Sequence, residues 1–192
     1  SLQYGYALTK TLRVTGSYGT AFKAPTFNDL YYPDYGNPEL GPETSRNWEL
    51  GLRGTPGWGS WSVNAFQNKI DNLIVFDSSL SGPLFPFGGA NNIAQSRIRG
   101  VELAGDTTLG DWRLSGNATW LQPEDESEGP TRGNLLPRRS RRTAHIDVDR
   151  SFGPLSLGAS VSGFSYRYDD TANANRLGGY ALTDLRAAYA FA

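Results

Sequence analysis

Trp112-Arg-Leu-Ser-Gly-Asn-Ala-Thr-Trp120 reads as a strand with two unlike faces. Trp112, Leu114, Gly116, Ala118 and Trp120 fall on one side, and Arg113, Ser115, Asn117 and Thr119 on the other. A period of two marks β-structure, because successive side chains leave a pleated strand in opposite directions. The two tryptophans, eight residues apart, share a face. At ~3.3 Å per residue that is ~26 Å of strand, or about 20 Å of height at ~40° tilt. Such a separation suits the two aromatic girdles of a membrane barrel. It also suits two core tryptophans of a soluble sandwich, whose apolar face turns inward.

The alternation spreads in both directions along the chain. Leu12, Val14 and Tyr18 oppose Arg13, Thr15 and Ser17; Trp48, Leu50 and Leu52 oppose Glu49, Gly51 and Arg53. Ala144, Ile146 and Val148 oppose His145, Asp147 and Asp149. Leu155, Leu157, Ala159 and Val161 oppose Ser156, Gly158 and Ser160, and Leu185, Ala187 and Tyr189 oppose Asp184, Arg186 and Ala188. No window of comparable length carries a helical stripe, so the chain is expected to be all-β. The expected strands are 2–9, 11–22, 43–54, 60–76, 91–108, 111–122, 138–150, 155–168 and 180–191. Their connections alternate in length. Short ones fall at Thr9–Lys10, Thr55–Gly59, Leu109–Gly110 and Ser151–Pro154, long ones at Lys23–Pro42, Asp77–Ala90, Gln122–Pro137 and Asp169–Gly179. Short turns at one end and long loops at the other describe an antiparallel transmembrane β-barrel with short periplasmic turns and long extracellular loops. Several strands are long enough to cross such a barrel's apolar band, and we favour this over the sandwich. Alternation slips near Ala65–Phe66 and Gly163–Phe164, where bulges are expected. The face taken by Arg97 and Arg99 stays open, since one slip upstream reverses it.

Composition narrows the function. The 192 residues include 23 Gly, 11 Pro and 24 aromatics, with 18 basic against 19 acidic side chains and a net charge of −1. Such a balance argues against nucleic-acid binding, which needs a basic surplus on one face. Without Cys there is no disulfide, thiolate metal site or Cys nucleophile, and a single histidine, His145, excludes a multi-His metal centre within the chain. The longest apolar run, Leu73–Phe76, is far too short for a membrane helix. Ser1–Lys10 already alternates, unlike a signal peptide. A mean hydropathy of −0.47 is compatible with a barrel, since only alternate residues touch lipid.

Catalytic signatures are weak, and no enzyme is expected. The chain has no Gly-x-Ser-x-Gly elbow, Walker loop or dinucleotide fingerprint. His145 lies on a polar face as a solvated histidine rather than a base. Glu124, Asp125, Glu126 and Glu128 form an acidic loop for which solvation outweighs a Ca²⁺ site. Asn117-Ala-Thr119 matches a glycosylation sequon but sits mid-strand. Arg138, Arg139, Arg141 and Arg142 cluster beside a long loop, suited to lipopolysaccharide phosphates, an anionic ligand or internal carboxylates.

Charges also mark one face of the strands. Glu49 and Arg53 share a side, and Asp106 and Arg113 would lie opposite each other across a hairpin at Leu109–Gly110, with Glu102 further along. These read as lumen charges or as ordinary cross-strand ion pairs. Pro25 and Pro42 remove backbone donors at the ends of the first long loop, and Asn37-Pro38 and Gly41-Pro42 are turn dipeptides.

In Ser17-Tyr-Gly-Thr-Ala-Phe-Lys-Ala-Pro-Thr-Phe-Asn-Asp-Leu-Tyr31, then Gly36-Asn-Pro-Glu-Leu-Gly-Pro-Glu43 and Trp48-Glu49, the chain resembles the TonB-dependent receptor family. Further matches follow in order: Phe66-Gln-Asn-Lys-Ile-Asp-Asn-Leu-Ile74, Arg97-Ile-Arg-Gly-Val-Glu102, Leu136-Pro-Arg-Arg139 and Arg167-Tyr-Asp169. Within the family the likeness is nearest to its cobalamin receptors. The resemblance makes Lys23, Pro25, Asn37, Pro38 and Glu43 family motif and loop residues. It implies a 22-stranded outer-membrane barrel of a Gram-negative bacterium, filled by a plug domain and energised by TonB. The cargo would be cobalamin or an iron-siderophore. No cofactor is implied. Residues 1–192 would be a single partial barrel domain of about nine strands, an internal piece without the plug. By the same resemblance a ligand-binding arginine corresponds to Arg138, just after Pro137. The family's following tyrosine has no match in Asp170–Asn175, which leaves Tyr166 and Tyr168 as nearest candidates. The alternative for Arg138 is that it starts a strand and pairs with the acidic loop Glu124–Glu128. A different function class, a non-transporting β-rich surface binding protein, would share the fold alone.

Overall fold

The computed structural model describes residues 1–191, apart from the side chains at 93 and 94; residue 192, the last of the expected domain, lies outside the described residues. Eight long strands follow the sequence alternation: β1 (Leu2–Ala7), β2 (Leu12–Lys23), β3 (Glu43–Gly54), β4 (Gly59–Asp77), β5 (Gly89–Leu109), β6 (Trp112–Asp125), β7 (Arg142–Phe152) and β8 (Leu155–Phe164). Two short strands, β9 (Arg167–Tyr168) and β10 (Arg176–Leu177), precede β11 (Tyr180–Tyr189), and one short helix, α1 (Phe27–Tyr31), lies in the first long loop. Nine strands form one sheet in the order β1-β2-β3-β4-β5-β6-β7-β8-β11, and β9 pairs with β10 apart from it. Neighbours are antiparallel throughout, as short hairpin connections require.

Register assigns the faces. Val101 pairs with Trp120, Leu103 with Ala118, Gly105 with Gly116 and Leu109 with Trp112. Cross-strand partners share a face, so all of these lie on the Trp112 face, and Glu102, Asp106, Ser115 and Asn117 on the opposite, Glu102 face. Leu2, Tyr4, Tyr6, Leu50, Ile146 and Leu185 all lie on the Trp112 face and are all exposed. The long strands that carry them form a single sheet.

The small buried core sits elsewhere, at the long-loop end. Leu73, Ile98 and Leu136 are buried together, with Phe66, Ile70, Val75 and Leu121 packed around them. Phe66, Ile98 and Leu121 belong to the Glu102 face. Leu136 reaches them because its loop folds back, its amide donating to the Pro123 carbonyl at 2.9 Å. On the opposite face at the same height stand Gln67, Lys69, Arg97, Arg99 and Gln122. The two faces thus exchange polarity above the level of Trp120.

This exchange corrects the expected bulges. At Phe66 and at Phe164 the pairing runs unbroken on both sides, Glu49–Phe66–Gly100 and Thr143–Phe164–Tyr180. The chain keeps its alternation; the environment of each face changes. Arg97 and Arg99 lie on the Trp112 face. The departure from regular backbone comes instead at Asn72, with φ 60°, after which Leu73 joins Ile70 in the core cluster.

Several boundaries also differ. β1 ends at Ala7, because Leu8 and Thr9 turn and donate to the Leu12 carbonyl at 2.9 and 3.1 Å. The expected strand 138–150 begins only at Arg142, since Arg138 adopts φ 58°, outside any strand. The expected strand 155–168 breaks after Phe164, and 167–168 pairs with 176–177 instead. α1 escaped the periodicity because five residues span little more than a turn; its signal was local. Thr26 caps it, accepting from the Asp29 amide at 3.2 Å, while Asp29 accepts from the Thr26 amide at 2.8 Å.

Asp106 and Arg113 do not oppose each other. Leu109 pairs directly with Trp112 across the turn Gly110–Asp111, so Asp106 faces Ser115 and Arg113 faces Thr108. Gly110, at φ 60°, is the first of two turn residues, where a type II′ hairpin needs positive φ. A turn one residue later than expected shifts every pair by two.

Candidate functional site at the long-loop end

The three candidate ligand residues meet where two loops cross. The Arg138 amide donates to the Tyr168 carbonyl at 2.6 Å, and its Nε donates to Asp169 Oδ1 at 2.7 Å. Arg138 is 74% exposed, and its terminal amino groups take no partner among the described residues. Tyr166 and Tyr168 meet edge to face with ring centroids 5.9 Å apart, and the Arg176 guanidinium lies 4.1 Å from the Tyr166 ring. The site therefore offers a guanidinium with free donors, two aromatic rings and a second cation. Such a set can grip the rim of a large, polar, partly flat ligand.

Asp169, the partner of Arg138, was not foreseen. The expected partners behave otherwise: Glu124 and Glu126 bind Arg97, at 2.9 and 2.6 Å. Glu124 lies at the top of β6, where register brings it opposite Arg97, and Glu126 follows just past the strand's end at Asp125. Among the described residues no three potential ligands gather as a metal site.

Both loops are held in shape. Asn173, at φ 56°, donates to the Leu135 carbonyl and accepts from the Leu135 amide, both at 2.8 Å. Asn134 donates to the Thr171 carbonyl at 3.0 Å. Asp170 closes its own turn by accepting from the amides of Ala174 and Asn175 at 3.0 and 2.6 Å. Those donors stabilise its charged form and hold its carboxyl below the usual carboxylate range.

The motif residues of the first loop serve local architecture. Lys23 donates to Glu43 at 3.2 Å across the paired ends of β2 and β3, and the buried Glu43 also accepts from the Ile74 amide at 3.0 Å. Asn37 donates to the Ala90 carbonyl at 3.2 Å and accepts from the Glu39 amide at 3.0 Å. Pro38 follows it, and Pro25 immediately precedes the Thr26 cap, where neither costs a ladder bond.

The Glu102 face carries charges below the loops. Glu49 and Arg53 lie there with Glu102, Asp106 and Arg113. Arg186 donates to Asp147 at 3.0 Å and to Asp149 at 3.1 Å. His145 touches Ser162 Oγ at 2.7 Å through Nδ1 and Asp147 through Nε2. The contacts resemble a nucleophile–base–acid relay. Ser162, however, lies mid-strand between β7 and β11, so its backbone belongs to the ladder and offers no oxyanion donors.

The family model described as TonB dependent receptor-like, beta-barrel, matches residues 1–192, and the chain belongs to that family. It is 36% identical over 192 residues to the vitamin B12 transporter BtuB of Photobacterium profundum, covering 98% of this chain and 30% of that protein. Among solved structures it resembles the unliganded ferric citrate transporter FecA, with TM-score 0.78, 21% identity and coverage of 99% of this chain and 30% of that one. It also resembles the copper transporter OprC, with TM-score 0.78, 18% identity and coverage of 97% and 30%. The chain thus spans about a third of the length of its relatives, and at these identities the structural likenesses speak for the fold alone.

Proposed function

We propose that this chain is the barrel part of an outer-membrane receptor that takes up cobalamin under the drive of TonB. The observation that carries this reading is the likeness to a B12 transporter along nearly the whole chain. The loop site supports it: Arg138 with free donors beside Tyr166 and Tyr168 suits the amide- and phosphate-bearing rim of a corrinoid. The Glu102 face, with its charges, would line the lumen against the receptor's plug, and the exposed Trp112 face would meet lipid. The protein would act by binding and transport, not by catalysis.

A second reading, uptake of a metal chelate, draws on the similarity to the ferric citrate and copper transporters. Titration of the full-length receptor decides. Cyanocobalamin is expected to quench its tryptophan fluorescence saturably, while ferric siderophores do not compete. Saturable binding of a ferric chelate without cobalamin binding would replace the first reading with the second. A full-length protein that stays folded and monodisperse without detergent would point instead to a surface binding protein.

A further inference from the structure

The ribbon of β9 and β10 sets a cation against the aromatic half of the loop site. Two register pairs build the ribbon, Arg176 with Tyr168 and Leu177 with Arg167. Cross-strand partners share a face, so Arg176 and Tyr168 stand on one side and Arg167 and Leu177 on the other. Tyr166 joins the first side, its ring 5.9 Å from that of Tyr168 and 4.1 Å from the Arg176 guanidinium. Arg167 lies over a different ring, that of Tyr180, at 5.5 Å.

The two guanidiniums of the site differ in their electrostatic surroundings. Arg138 shares its charge with Asp169, 2.7 Å from its Nε. An anion arriving there meets a carboxylate as well as a cation, so the free donors of Arg138 suit neutral acceptors such as amide carbonyls. Arg176 has no carboxylate within ion-pair distance among the described residues. The acids of its own loop are engaged elsewhere, Asp169 by Arg138 and Asp170 by the amides of Ala174 and Asn175. Contact with the Tyr166 ring attracts the Arg176 cation without spending any of its N–H donors. An unneutralised fork held beside a tyrosine suits an anion with several oxygens. On a cobalamin the amide-bearing ring offers only neutral acceptors, and the phosphodiester of the nucleotide arm offers the anion.

We propose that Arg176 is a specificity-determining residue of the cargo site. It binds the phosphodiester of the nucleotide arm, while Arg138 takes amide carbonyls of the corrin ring. The inference rests on the cobalamin reading above and divides that site into an anion-reading and an amide-reading half. The test titrates the full-length receptor in detergent with cyanocobalamin and with dicyanocobinamide, which keeps the amide-bearing ring but lacks the nucleotide arm and its phosphate. Thermal unfolding of each variant is followed in parallel. R176A should weaken cyanocobalamin binding about tenfold, the size of one charge-assisted hydrogen bond, and leave dicyanocobinamide binding within about twofold. R176Q, which keeps most of the side chain against the ring, should show the same ligand-dependent loss, and R176K should recover part of it. R138A should weaken both ligands. R132A, which removes an exposed arginine of the loop that carries Arg138, should match wild type. Equal losses of the two ligands in R176A and R176Q would make Arg176 a prop for Tyr166 and overturn the assignment. Unchanged cyanocobalamin binding by folded R176A or R176Q would overturn it too, and both results leave the cobalamin reading standing. A wild-type receptor that binds a ferric chelate and neither corrinoid removes that reading and the inference with it.

Discussion

Arg138 follows Pro137 in a left-handed backbone, a conformation that an alanine shares at similar cost. Arg138→Ala therefore removes the guanidinium without resetting the loop. In the full-length receptor it should weaken cobalamin binding by ~1.5–3 kcal/mol, the loss typical of a charged hydrogen bond. Titration calorimetry reads this directly; a change below about 0.5 kcal/mol, well short of that loss, would make Arg138 a purely structural partner of Asp169. Glu43 makes the opposite kind of contribution. It is buried and holds both Lys23 and the Ile74 amide. Glu43→Ala strands a backbone donor and should cost ~1–3 kcal/mol of stability. Lys23→Ala removes the exposed end of the same pair and should cost under about 1 kcal/mol. Guanidinium unfolding of the refolded receptor compares the two, and equal losses would remove the burial argument.

At the scale of the strands, the two faces of β6 make a paired test. Leu114 lies on the Trp112 face and Ser115 on the Glu102 face. Leu114→Arg should destabilise the full barrel by ~2–4 kcal/mol near the bilayer midplane, and Ser115→Arg much less. Equal effects in lipid refolding assays would reverse the assignment of faces. This alternation was legible in the sequence because a strand's period needs no distant information. What misled was the point where polarity changes sides: Phe66 and Phe164 look like slips, yet the pairing is unbroken and only the surroundings differ. The Asp106–Arg113 pairing failed for a smaller reason, one residue in the placement of a two-residue turn. α1 was hidden by brevity, although Thr26 and Asp29 at capping-box spacing marked its start. Of the candidate site, the resemblance points to Arg138 alone; Tyr166 and Tyr168 enter only as the nearest tyrosines, because the family's own has no match in Asp170–Asn175. The partner of Arg138, Asp169, lies 31 residues away on another loop, and no local pattern links the two. The loop turn also responds to pH. The Asp170 carboxyl titrates below its unfolded value, so its contribution to loop order is fully present above the ordinary carboxylate range and is lost as pH falls through the lowered pKa. Amide exchange at Ala174 and Asn175, corrected for intrinsic rate, should stay protected through mild acid and open only below that range. Asp170→Asn should remove the dependence.

The nine-stranded sheet has two edges, β1 and β11, each paired on one side only among the described residues. Lipid offers nothing to satisfy such edges, so the 192-residue chain alone should form no stable closed pore. Discrete, long-lived conductance steps from the isolated chain in planar bilayers would contradict this. The clasp between the loops, built from Asn134, Leu135, Thr171 and Asn173, reaches further. Two loops tied at several points have surrendered their freedom during folding, before any cargo arrives. A ligand that docks on Arg138 and the tyrosines then meets a surface already set and bears little of the entropic cost of arranging it. Asn173→Ala should therefore weaken binding although Asn173 is assigned no contact with cargo. Calorimetry should record the loss as a more unfavourable entropy, with the association slowed as the receptor waits for its two loops to find each other again.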